Sequence, residues 1–217
     1  MERVLHTYYR SSSAYRVRIA LNLKGLDARH IPIHLTRGGG EQFSAEYRRL
    51  NPLALVPVLT EGALQLSQSL AILEYLDERY DAGTKLYPGD AKNRARIRRL
   101  IQEMEGYLDK EGIDPITHEY FGKEGAAPDL ERVEKAKTRL AEELAYFAKE
   151  IRGKYIAGDE PSAADLVLYP WYGYVKRIAF RKPETRLTEL VPPAMKAWAE
   201  RIEAWPFFDK TFPAHWR

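Results

Sequence analysis

Tyr9-Arg10-Ser11-Ser12-Ser13-Ala14-Tyr15-Arg16-Val17-Arg18-Ile19-Ala20-Leu21 is the stretch that decides how this chain begins to fold. Val17, Ile19, Ala20, Leu21 and Leu23 recur with helical spacing across residues 15–24, and Gly25 supplies a natural C-terminal stop. Residues 4–8 just upstream read as a short strand. Ser11, Ser12 and Ser13 therefore fall between a strand and a helix N-terminus, where hydroxyls, amides and the helix dipole hold an anion. A plain helix cap needs the same residues, so the local pattern alone leaves both readings open.

Moving outward, Ile31, Ile33 and Leu35 alternate across residues 29–35, the period of a strand. Gly38-Gly39-Gly40 reads as a loop, because glycine loses the most entropy when fixed in a regular element. Residues 56–59 and 63–66 flank Glu61-Gly62 and predict a hairpin. Residues 68–80 predict a helix with Leu70, Ile72, Leu73 and Leu76 inward. Together these elements make a small mixed sheet covered by helices. Asp81-Ala82-Gly83-Thr84-Lys85 and the Pro88-Gly89-Asp90 turn predict a connection to a second domain.

Beyond that connection the pattern is helical. Leu130, Val133, Leu140, Leu144, Phe147 and Ile151 mark one long amphipathic helix. Ser162 and Asp165 form a capping box ahead of Leu166-Val167-Leu168, and Pro192-Pro193 opens a last helix with Met195, Trp198 and Ile202. The expected fold is thus α/β plus all-α, with domains at 1–81 and 91–217.

Composition narrows the function classes. A charge of +3, from 34 basic and 31 acidic residues, is too slight to imply nucleic-acid binding. The run Lys92, Arg94, Arg96, Arg98 and Arg99 spreads around a helix and reads as a solvated or subunit-facing surface. No apolar run reaches the ~20 residues of a membrane helix. Cysteine is absent, which excludes disulfides and thiolate metal sites. With no apolar stretch after the charged start, a cytoplasmic location is expected. The five histidines lack ligand spacing, so no metal is expected.

The quoted segment resembles the signature of the zeta class of cytosolic glutathione transferases, the class that includes maleylacetoacetate isomerase. Gly39-Gly40-Glu41-Gln42-Phe43-Ser44, followed by Leu50-Asn51-Pro52 and Val56-Pro57, is similar to that class's glutathione-cradling segment. Gln68-Ser69-Leu70-Ala71-Ile72-Leu73-Glu74-Tyr75-Leu76 is similar to its Gln-Ser helix opening. The resemblance implies a thioredoxin-like glutathione-binding domain with a mixed sheet, then a helical-bundle domain carrying the electrophile pocket. It also implies glutathione as cofactor and a homodimer, with no nucleic-acid or membrane partner.

By the same resemblance Ser11 contacts the glutathione sulfur while Ser12 and Ser13 shape and polarise the site. Val56-Pro57 corresponds to a cis-proline whose Val56 main chain pairs with the tripeptide. Gln68 and Ser69 hold the glutamyl carboxylate, and Gln42 the glycyl end. Ser13 stands where the class has a cysteine, so mixed-disulfide chemistry on the protein is excluded. On the substrate side, Arg177 matches an arginine that holds a carboxylate. Asp114-Pro115-Ile116-Thr117-His118-Glu119 replaces a Pro-Leu-(Gln/Asn)-Asn cluster and offers His118 as an acid–base group. Lys176, Arg181 and the aromatics Tyr107, Tyr120, Phe121, Trp171, Tyr172 and Tyr174 are further candidates for the pocket. The implied reaction is thiolate attack on an electrophilic carbon, giving a conjugate or the cis–trans isomerisation of a maleyl keto acid. A catalytically inactive interaction module and a glutathione-dependent lyase are the competing readings.

Overall fold

The computed structural model describes residues 2–122 and 125–213. It divides into two compact units, one holding the chain up to Tyr87 and the other running from Pro88 to Pro206. The first is built from β1 (Arg3–Thr7), α1 (Ser12–Leu23), β2 (Arg29–Pro32), α2 (Ala45–Leu50), β3 (Val58–Glu61), β4 (Leu64–Ser67) and α3 (Ser69–Arg79). The sheet order is β2-β1-β3-β4, parallel between β1 and β2 and antiparallel elsewhere. This is the mixed sheet of a thioredoxin-like domain.

Several boundaries differ from the sequence pattern, and those of α1, β2 and the hairpin do so for a local reason. Helix α1 starts at Ser12 rather than residue 15, because the Ser11 hydroxyl oxygen accepts the Ala14 amide at 3.1 Å and caps it. Strand β2 stops at Pro32 rather than residue 35, since its partner β1 ends at Thr7, directly opposite. Glu61 pairs with Leu64, so the hairpin turns on Gly62 and Ala63. Its first strand begins at Val58, after a proline that has no N–H to give the ladder.

The expected connection packs within the first unit as far as Tyr87. The Asp77 carboxylate accepts the Leu86 amide at 2.6 Å and the Tyr87 amide at 3.2 Å, and pairs with buried Lys24 at 3.6 Å. Gly83 allows this close approach: at φ +68°, a Cβ there would meet the Lys24 Cα at 2.4 Å.

The second unit comprises α4 (Ala91–Tyr107), α5 (Asp114–Thr117), α6 (Leu130–Glu150), α7 (Ala163–Arg181) and α8 (Pro193–Glu203). Wider π-helical turns at Leu108–Ile113 and His118–Gly122 flank α5. Val133, Leu140, Leu144 and Phe147 of α6 are buried, but Leu130, the first residue of that helix, is 64% exposed. The basic run is not uniformly solvated. Arg96 and Arg99 both reach Glu150 at the end of α6, at 2.7 and 3.0 Å, while Lys92, Arg94 and Arg98 stay exposed. A last short helix, α9 (Phe208–Thr211), returns to the first unit and packs on α1, with Phe212 set edge-on to Tyr15.

Asp165 organises the second unit. Fully buried, its carboxylate accepts the Ser162 amide and hydroxyl at 2.8 Å each, the Ile156 amide at 2.9 Å and Trp198 Nε1 at 2.7 Å. The capping box thus also fastens a loop and α8 to α7. Asp165→Ala leaves several donors buried without an acceptor and is expected to cost about 3 kcal/mol or more, measured by urea unfolding.

Glu143 on α6 gives a second expectation. Burial pushes its carboxyl from an ordinary 4.5 up to about 7, against the pull of Arg139. The unfolded chain then releases this proton at lower pH than the folded one. Stability therefore falls as pH rises from about 4.5 to about 7, and Glu143→Gln flattens that slope in urea unfolding across the window.

Candidate functional site

Strand register gathers several segments at one end of the first unit's sheet. His6 stands opposite Val58, Val58 opposite Ser67, and Thr7 opposite Pro32. The chain leaving β1 toward Ser11, Ser12 and Ser13 therefore shares that end with the chain entering β3 at Val56-Pro57. Gln68-Ser69, leaving β4, lies there too, as does the loop after β2 that carries Gln42.

Each segment has its own local chemistry. A hydroxyl that accepts the Ala14 amide still has its own proton to donate, so capping leaves Ser11 able to act on a ligand. Ser12 and Ser13, half-buried, form the first turn of α1, which contains no acidic residue to compete for an anion. The Val56–Pro57 bond is cis, and Val56 precedes β3, outside the ladder. Gln68 adopts φ 71° and ψ 114°, backbone that only glycine takes easily, at the N-cap of α3. Ser69, its neighbour, is buried as the first residue of that helix.

Gln42, the residue expected at the glycyl end, is tied into its own loop. Its side chain is 7% exposed and its Nε2 donates to the Leu35 carbonyl at 3.2 Å. It lies beneath Gly40, where an added Cβ would come within 2.7 Å of its amide. In this structure Gln42 braces the glycine loop.

Two residues escaped notice as individuals. Every α1 residue from Ala14 to Leu21 is buried, and these include Arg16 and Arg18 at 1% and 8% exposure. Arg16 Nη1 donates to Ser69 Oγ at 3.4 Å, linking α1 to the start of α3. Arg18 Nη1 donates to Thr7 Oγ1 at 3.0 Å and to the Tyr8 carbonyl at 3.3 Å. The available signal was two arginines inside an otherwise apolar helical run.

In the second unit Arg177 lines a cleft of about 200 Å³ with Thr117, Phe121, Tyr174, Ile178 and Arg181. Arg181 stacks over Phe121, its guanidinium 4.8 Å from the ring centre. The Thr117 hydroxyl is buried with no hydrogen-bond partner among the described residues. Two guanidiniums and a free donor suit an anion. His118 is exposed and lies outside this lining. Lys176 is engaged with Glu203 at 2.9 Å instead. Of the candidate aromatics, Tyr174 and Phe121 reach the cleft, whereas Tyr172 packs on Trp198 and Tyr107 lines a separate hollow with Glu103 and Tyr146. Among the described residues no cluster could hold a metal ion, and no helix is long and apolar enough to cross a membrane.

Comparison with known proteins agrees with this architecture. Residues 5–84 match the family described as glutathione S-transferase, N-terminal domain, and residues 113–206 match glutathione S-transferase, C-terminal domain. A probable maleylacetoacetate isomerase of Vibrio cholerae is 36% identical over 98% of this chain and 96% of its own length. The maleylacetoacetate isomerase of Rattus norvegicus is 39% identical over 80% of this chain and 78% of its own. Among solved structures, glutathione transferase F7 from Populus trichocarpa superposes with a TM-score of 0.79 at 27% identity, covering 96% of this chain and 97% of that one. The chain belongs to the glutathione S-transferase family, with zeta-class enzymes among its relatives.

The strained residue yields a test of its own. Gln68→Gly relieves the backbone and is expected to raise the unfolding free energy by about 1 kcal/mol in urea denaturation. A fall in stability would show that the backbone at this position is not strained.

Proposed function

We propose that this protein is a glutathione-dependent enzyme that ionises the tripeptide's thiol at Ser11, with cis–trans isomerisation of a maleyl keto acid as its reaction. The observation that carries the reading is the convergence of an α1 N-terminus, an unpaired strand approach at Val56 and an α3 N-terminus at one sheet end. A peptide bearing a thiol and a carboxylate needs those three features.

In this reading the Ser11 hydroxyl donates its proton toward the sulfur while its oxygen holds the Ala14 amide. The amides and hydroxyls of Ser12 and Ser13 add to the positive end of α1. Val56 pairs with the peptide main chain as an added strand would, and the amides after Gln68, with the Ser69 hydroxyl, receive the glutamyl carboxylate. Gln42 holds the loop beside the glycyl end. Arg177 binds a substrate carboxylate in its cleft, and His118, exposed outside it, is given no role.

The thiolate adds to the cis double bond, forming a carbon–sulfur bond and an enolate. Rotation about the resulting single bond and expulsion of the thiolate return the trans alkene with no net change in atoms. The two relatives named as maleylacetoacetate isomerases support this reaction over simple conjugation. The family relationship also supports a homodimer.

Calorimetry with glutathione and the ultraviolet thiolate absorbance of the complex, followed against pH, test the first step. The bound thiol is expected to ionise at least about one unit below its ordinary ~8.5. Ser11→Ala should lose that shift while retaining binding. Absence of glutathione binding would favour a protein-interaction module. For the electrophile side, Arg177→Met is expected to lower kcat/KM for maleylacetoacetate by about tenfold, with the glutathione affinity unchanged.

A further inference from the structure

The Arg16-Val17-Arg18 triplet holds two arginines inside a helix that is buried on every side. Burying a guanidinium is costly unless it is paired with a carboxylate or fully hydrogen-bonded. Arg18 has no carboxylate partner among the described residues. Its Nη1 meets two neutral oxygens, Thr7 Oγ1 at 3.0 Å and the Tyr8 carbonyl at 3.3 Å, and its guanidinium lies 5.2 Å from the centre of the Tyr15 ring.

The Tyr8 carbonyl also accepts the Ser11 amide, at 3.0 Å. One oxygen therefore ties the buried cation to the residue that caps α1, and the turn between β1 and α1 is fixed by that shared acceptor. We propose that Arg18 is a positioning residue for Ser11 and that its uncompensated charge favours the thiolate of bound glutathione. This rests on the reading that Ser11 activates that thiol.

The charged surroundings agree. Arg18 interacts electrostatically with Tyr15 on the same helix and with His30 on β2, whose basicity is lowered first by burial and then by Arg18 and Lys210. Neither ring is anionic at neutral pH, so neither offsets the charge of the guanidinium. Burial pulls Arg18 itself down to about 10, which leaves it charged at neutral pH. Neutral acceptors alone would be met as well by an uncharged donor; the charge itself acts on the Tyr15 ring and on any anion that reaches this turn. Arg16, two residues earlier, donates to Ser69 Oγ at the start of α3.

The test uses the full chain as wild type, Arg18→Gln and Arg18→Lys, with folding followed by circular dichroism. Glutathione binding is measured by calorimetry, and the bound thiol is titrated by its ultraviolet absorbance. Arg18→Gln retains a hydrogen-bond donor without the charge. It is expected to bind glutathione within about threefold of wild type and to titrate about one pH unit higher. Arg18→Lys retains the charge, so its midpoint should stay near that of wild type while kcat falls through looser positioning. A wild-type midpoint in Arg18→Gln overturns the inference and leaves the Ser11 reading intact. If Arg18→Gln does not fold, Arg18→Lys decides: a midpoint near wild type supports the inference, and one at the value of free glutathione overturns it. A wild-type complex whose thiol is unshifted would remove the Ser11 reading and this inference together.

Discussion

His6 stands opposite Val58 and Val58 opposite Ser67, and the chemistry of the first unit depends on that register. A slip of one residue would turn every side chain of a strand to the other face of the sheet. Leu5 and Leu59 sit opposite each other at 0% exposure, each contributing about 1.5–3 kcal/mol by burial. A slip would bring those leucines out, so the core fixes the register. The register in turn decides which chain segments emerge side by side at the sheet's end. The core register, and not the residues proposed to hold a ligand, sets where these segments meet, and one of those residues, Gln68, keeps a backbone conformation that only glycine takes easily.

This division of labour explains what was legible in the sequence. Period-two alternation, the glycine stop after α1 and the capping signals report burial and backbone geometry, and the elements formed where those signals lay. Boundaries moved wherever a partner decided them: β2 ends because β1 ends, and the hairpin turns where Glu61 meets Leu64. Leu130 fits the helical period yet faces solvent, since periodicity cannot say where along a helix the packing begins. The segments of the candidate site were legible only through their combined resemblance to a family. Singly, Ser11 reads as a cap, Val56-Pro57 as a strand entry and Gln42 as a loop residue.

Long-range pairing of charges was the least legible feature. Arg96 and Arg99 looked like part of a solvated run, yet each meets Glu150 some fifty residues away. No helical period contains that information. The same blindness hid Arg16 and Arg18, because a hydropathy pattern counts an arginine as polar wherever it falls.

The buried charges of the two units obey one physical rule with different outcomes. Asp165 is surrounded by donors, and its negative charge is distributed over hydrogen bonds from three parts of the second unit. Lys24 finds Asp77, which also takes two amides. Glu143 lies 3.0 Å from Arg139, but that arginine is shared with Glu111 and Glu142 and does not offset its burial. Arg18 is a different case, a cation held against neutral oxygens and an aromatic ring. A fold selected for stability alone would replace it with an apolar side chain of similar volume. Keeping it is intelligible where a negative charge visits the same turn, and the turn in question is the one that presents Ser11.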